Sequence, residues 1–157
     1  MIVDDTAAKV NSQLIVDLCM QALENLKAPQ IVSMKRNMPR RAFREDFGTV
    51  RIFLPRRSGH STAALQLLCE HPDALLFVTK HSRKDDMQNM IRDYTSNQAL
   101  RDRINNAIVP LSPNALTNLK PVEYRSFVIF DGQPDTHFNV YAMFKETVSV
   151  GIVVELH

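Results

Sequence analysis

The strongest constraint on how this 157-residue chain folds is an alternation of two periodicities. Short apolar or β-rich runs recur at 49–54, 74–78, 107–111, 127–130 and 148–156, with stretches of helical spacing between them. The run 74–78 (Ala-Leu-Leu-Phe-Val) lacks polar alternation and is too short for a core helix, which marks a strand buried on both faces. A helix is predicted over 7–27, where Val10, Leu14, Ile15, Leu18, Leu23 and Leu26 recur at helical spacings, capped by Asp5-Thr6 and stopped by Pro29. Further helices are predicted over 62–70 and, as one helix or a pair, over 84–106, with Met87, Met90, Ile91, Tyr94, Leu100 and Ile104 on the apolar face. Segment 138–146 is ambiguous: its place in the order argues helix, the alternation of Phe138 and Val140 argues strand. Strands alternating with helices in this way predict an α/β domain with a mainly parallel sheet and helices on both faces.

The chain reads as one domain: an N-terminal helix within 1–34, a basic linker over 35–48 and a core over 49–157. With 45% hydrophobic residues, 23% charged, eight Pro and four Gly, it is neither collagen-like nor largely disordered. No apolar run approaches the roughly 18–20 residues needed to cross a bilayer, and the N-terminus carries acids where a signal peptide carries bases, so a cytoplasmic protein with no membrane partner is expected. Cys19 and Cys69 are expected as free, buried thiols.

The formal net charge of +2 hides an uneven distribution. Residues 35–57 hold Lys35, Arg36, Arg40, Arg41, Arg44, Arg51, Arg56 and Arg57 against Glu45 and Asp46, whereas the flanking parts are each slightly acidic. Arginine's planar fork matches phosphate in a bidentate way, so Lys35, Arg36, Arg40, Arg41 and Arg44 are candidate nucleic-acid contacts. A solvated basic loop is the equal alternative on charge alone.

In open parallel sheets ligands sit outside the carboxyl ends of the strands. Two such ends are polar here, Arg56–Ser61 and Asp131–Gln133. The first runs Pro-Arg-Arg-Ser-Gly-His-Ser-Thr from a strand into a helix, the setting of a phosphate-cradling loop. It resembles the P-loop of nucleoside triphosphatases, with Gly59 at the second glycine, Ser61 at the magnesium-ligating hydroxyl, His60 in place of lysine and Leu54 in place of the first glycine. The second, Phe-Val-Ile-Phe-Asp131, is similar to the acidic strand end of that family's second motif. Together the two look like the core of phage large-terminase and helicase-type ATPases, over roughly residues 45–157.

The resemblance implies a three-layer P-loop-like sandwich, a phage setting, ATP and magnesium as cofactors, and phosphate binding by Arg56, Arg57, Ser58, Gly59, His60, Ser61 and Thr62, with Ser61 and Asp131 near the metal. The departures weigh against turnover. His60 is shorter than lysine and mostly neutral near pH 7. Gly132, where a glutamate would orient the attacking water, has no side chain. At most a weak ATPase is expected.

Other constellations are poorer. His60, His71, His81, His137 and His157 show no metal-site spacing, and Ser58-Gly59-His60-Ser61 is not a Gly-x-Ser-x-Gly elbow. The run Lys80-His81-Ser82-Arg83-Lys84 is a second candidate backbone contact or a solvated βα loop. Two functions therefore stand: a degenerate P-loop domain binding a nucleotide or nucleic-acid phosphate with slow or absent hydrolysis, and a non-catalytic interaction or regulatory protein, working as an oligomer or in an assembly, on the same fold.

Overall fold

The computed structural model describes residues 6–54, 59–79, 81–111, 124–132, 138–147 and 149–157. In chain order the elements are α1 (Thr6–Asn25), α2 (Pro29–Asn37), α3 (Arg40–Phe47), β1 (Thr49–Ile52), α4 (His60–Glu70), β2 (Leu75–Val78), α5 (His81–Tyr94), α6 (Gln98–Ala107), β3 (Ile108–Pro110), β4 (Arg125–Asp131), α7 (Phe138–Glu146) and β5 (Val150–Leu156). The strands form one sheet, parallel throughout, in the order β1-β5-β4-β2-β3.

Side chains alternate across the sheet, so each apolar strand feeds two cores. Leu76, Val78, Phe127, Ile129, Ile152 and Val154 pack under α1, α4, α5 and α6. Leu75, Phe77, Val128, Phe130 and Val153 meet Val140 and Phe144 of α7 on the other face. The rings of Phe77 and Phe130 stack there at 5.2 Å, with Tyr141 edge-on to Phe130 at 5.1 Å. This is the expected α/β arrangement with helices on both faces. Among the described residues no helix is long and apolar enough to cross a membrane.

Several local expectations are corrected. The segment 138–146 is helical, because Val140 and Phe144, four residues apart, both face the sheet. The basic segment 35–48 is mostly helix rather than linker: α2 ends within it and α3 follows, packed on α7 and β1. Pro29 does not stop α1, which ends at Asn25; it opens α2, where a missing N–H costs nothing. On α1 the predicted Ile15 is buried, together with Val16 and Cys19, while the predicted Leu14 and Leu18 are exposed, so the buried stripe is turned partly away from the predicted one. Tyr94 also lies exposed, its hydroxyl toward the Cys69 thiol. Cys19 and Cys69 are both free, but only Cys19 is fully buried. The proposed Asp5-Thr6 cap involves Asp5, outside the described residues.

Gly151 shows how closely β5 is enclosed. A Cβ there would stand 2.7 Å from the Ser126 carbonyl oxygen, 2.5 Å from Tyr124 Oη and 2.8 Å from Leu23 Cδ1. The carbonyl belongs to the adjacent strand and cannot swing aside. Gly151→Ala is therefore expected to cost about 2 kcal/mol by overpacking, read as a thermal midpoint lowered by about 5 °C.

Candidate phosphate-binding site

The strand order creates a crevice that the sequence order alone does not show. From β2 the chain crosses through α5 and α6 over one face to β3; from β4 it crosses through α7 over the opposite face to β5. β2 and β4 are neighbours, so their carboxyl-end connections diverge, which is where open α/β sheets hold ligands. The register aligns Val78 with Asp131 and Asp131 with Leu156, placing these strand ends along one edge.

Gly59 precedes α4 in a left-handed conformation, φ 90°, and as the N-cap residue it has no side chain with which to cap the helix. The first backbone N–H groups of α4, which have no acceptor within the helix, stand at the positive end of its dipole. Ser61 stands in this first turn. Arg83, from the first turns of α5, reaches across the crevice: its Nε donates to Asp131 Oδ2 at 3.2 Å and its Nη2 donates to Ser61 Oγ. Asp131 is mostly buried, with 12% of its side chain exposed, and Arg83 is half-buried at 38%. His60 is held below the usual imidazole range, first by burial and then by Arg83 and His157, against the pull of Asp131. It is therefore a neutral ring at pH 7. Its Nε2 is enclosed and has no hydrogen-bond partner among the described residues. On the same edge the His157 ring lies parallel to Phe53 at 4.6 Å, and Phe53 is 70% exposed.

The structure thus brings together Ser61, His60 and Asp131, with Gly59 at the helix entrance and Thr62 exposed beside it. Arg56, Arg57 and Ser58 lie outside the described residues. Gly132 has φ +108°, and a Cβ there would lie 2.8 Å from Thr79 Cγ2. A glutamate is thus disfavoured by backbone and space alike at this position. Arg83, which the sequence offers only within the basic run 80–84, is the residue that joins Ser61 and Asp131; its place just after a strand was the available signal.

Magnesium was expected between Ser61 and Asp131. Both groups are engaged by the Arg83 guanidinium, and a divalent ion between them would meet a fixed positive charge. As arranged, this donor set does not fit the metal. No group of three or more His, Cys, Asp and Glu side chains among the described residues offers another cation site.

The candidate nucleic-acid residues divide. Lys35, Arg36, Arg40 and Arg41 are exposed around the α2–α3 corner, with Arg41 3.6 Å from Glu45. Arg44 is corrected: it is 2% exposed and donates to the carbonyls of Gly151 and Thr147, so it cannot meet a polyanion. These helices lead into the amino end of β1, the edge opposite the crevice.

No protein-family model, curated protein or solved structure matches this chain.

Proposed function

We propose that the chain binds the phosphate of a nucleotide or nucleic acid in the crevice between β2 and β4, with hydrolysis slow or absent. The observation that carries this reading is the convergence of Ser61, Arg83 and Asp131 beside the first turn of α4. A guanidinium, a hydroxyl and the backbone N–H groups of a helix first turn are the donors an anionic oxygen needs. The exposed ring of Phe53 adds an apolar face on which a base can stack. The resemblance to phage large-terminase and helicase-type ATPases supports a nucleoside triphosphate or DNA as the carrier of that phosphate. The neutral His60 and the bare Gly132 leave no fixed cation and no water-orienting acid at the two motif positions, which is why turnover is not expected.

Thermal unfolding with ATP, and separately with pyrophosphate, tests the reading. A ligand at a hundred times its dissociation constant stabilises the native state by about 2.7 kcal/mol, a rise of about 5–10 °C for a chain of this size. His60→Lys should enlarge the rise by adding a cation. No shift with either ligand, in wild type or variant, would overturn the proposal.

A second reading is favoured by one observation. Leu14 and Leu18, one turn apart on α1, are 55% and 54% exposed, a feature suited to an interaction protein or homo-oligomer. Association through them would hardly respond to salt, whereas nucleic-acid binding through Lys35, Arg36, Arg40 and Arg41 would weaken steeply.

A further inference from the structure

We propose that Arg83 takes the place of a divalent cation in this crevice, so that the site binds phosphate without metal. The inference rests on the phosphate-binding reading and deepens it by naming the charge that the ligand meets. A guanidinium has five N–H donors, and two of them are committed here, one to Asp131 Oδ2 and one to Ser61 Oγ. The remaining three are available to a phosphate while the side chain stays anchored. Ser61 Oγ accepts from Arg83, which leaves its own proton to donate to the same ligand. Asp131 then acts as a positioning residue. It holds the guanidinium at the carboxyl end of β4 and, being anionic, opposes the phosphate.

That opposition gives a test by sign. In a metal-dependent site Asp131 is a ligand or a ligand's neighbour, and neutralising it weakens binding. In a site served by Arg83, Asp131→Asn removes a repelling charge and frees the guanidinium, so binding strengthens. The experiment is titration calorimetry of the full chain with pyrophosphate and with ATP, each in EDTA and in magnesium. Wild type is expected to bind within about threefold equally in the two media, and Asp131→Asn to bind about three- to tenfold tighter in EDTA. Arg83→Ala is expected to lose at least about tenfold in EDTA and to regain part of it in magnesium, because Ser61 and Asp131 are then released to a metal. The wild-type and Asp131→Asn arms carry the test even where Arg83→Ala does not fold. Wild-type binding strengthened tenfold or more by magnesium, with Asp131→Asn weakening it, would overturn this inference and leave the phosphate reading intact. No binding of either probe in either medium would overturn both.

Discussion

Arg44→Ala will lower the stability of this protein by about 4 kcal/mol, a fall in thermal midpoint of about 10–15 °C. The reason lies in where β1 begins. It pairs with β5 from Thr49↔Val153 onward, and Val153 N–H donates to the Gly48 carbonyl at 2.8 Å. Backbone groups alternate in direction along a strand, so the Gly151 carbonyl points the same way as that of Val153 but lies short of β1. Arg44 supplies the missing donor: Nη1 to Gly151 O at 2.5 Å and Nη2 to Thr147 O at 2.6 Å. Gly48 leaves the room, since a Cβ there would stand 2.6 Å from Arg44 Nη1.

Two effects oppose each other in the variant. Removing Arg44 relieves the cost of burying a guanidinium, which burial already pushes below its ordinary pKa. It also leaves a cavity and orphans a carbonyl in the middle of the molecule, where water does not replace the donor. Hydrogen bonds to a charged donor are worth about 1.5–3 kcal/mol each, so the loss of two outweighs the relief. Arg44→Met fills the cavity without donating and should recover about a quarter to a half of the loss. Full recovery by Met in a thermal or urea melt would show that packing, not the two carbonyls, sets the effect. Arg44→Lys keeps the charge but reaches one carbonyl, and should fall between.

The layering of the fold was legible because it depends on local pattern. The uninterrupted run Leu75–Val78 has no polar face to offer water, and its four residues are all buried on a doubly covered sheet. The alternation of strands and helices then leaves little choice but parallel pairing. What depends on long-range contact was not legible. Arg44 looked like one more solvated base among seven others because its partners lie 103 and 107 residues away. Leu14 and Leu18 satisfied the helical spacing alongside Ile15, and only the packing of α1 on α4 and β5 buries Ile15 with Val16 and Cys19 and leaves the two leucines out. At the candidate site, Ser61 and Asp131 were found from their strand–turn settings. Arg83 was found only within the basic run 80–84, as a backbone contact or a solvated loop, because its link to Ser61 and Asp131 depends on β2 lying next to β4. Nothing in the order of the sequence states that adjacency.

A second large effect is expected at Glu155. This carboxylate is 2% exposed on β5 between two cations, Arg51 Nε at 2.7 Å and Lys145 Nζ at 3.3 Å, with the His157 ring nitrogen Nε2 4.0 Å away. Lys145 is buried as well, at 3%, with its ammonium 4.9 Å from the Tyr141 ring centroid and 3.4 Å from Thr49 Oγ1. Glu155→Leu strands that ammonium beside Arg51, Arg41 and Arg44 without its carboxylate, and should cost about 3–5 kcal/mol. Glu155→Leu with Lys145→Met removes both charges and should recover most of the loss. A double-mutant cycle read by urea denaturation measures the difference. A cycle in which the two losses simply add would mean that the pair contributes nothing beyond packing.

The same pair makes a signed pH prediction. Burial first, then Arg51, pushes Lys145 down to about 8 from the ordinary 10.5, against the pull of Glu45, with the Glu155 carboxylate 3.3 Å from the ammonium. Between those values the unfolded chain binds a proton that the native state has released. Stability therefore rises with pH across this window. The stability of wild type minus that of Lys145→Met should climb from pH 8 to 10.5 by up to about 3 kcal/mol, with Glu155 reducing the full value. Glu155 acts in the acid range with the opposite slope. Burial raises its pKa above 4.5 while Arg51 opposes, so its contribution is complete below 4.5 and is lost as pH rises through the native value. A flat difference above pH 8 would mean that the ammonium is no more costly to bury here than in water, and that Glu155 cancels the whole penalty of its burial.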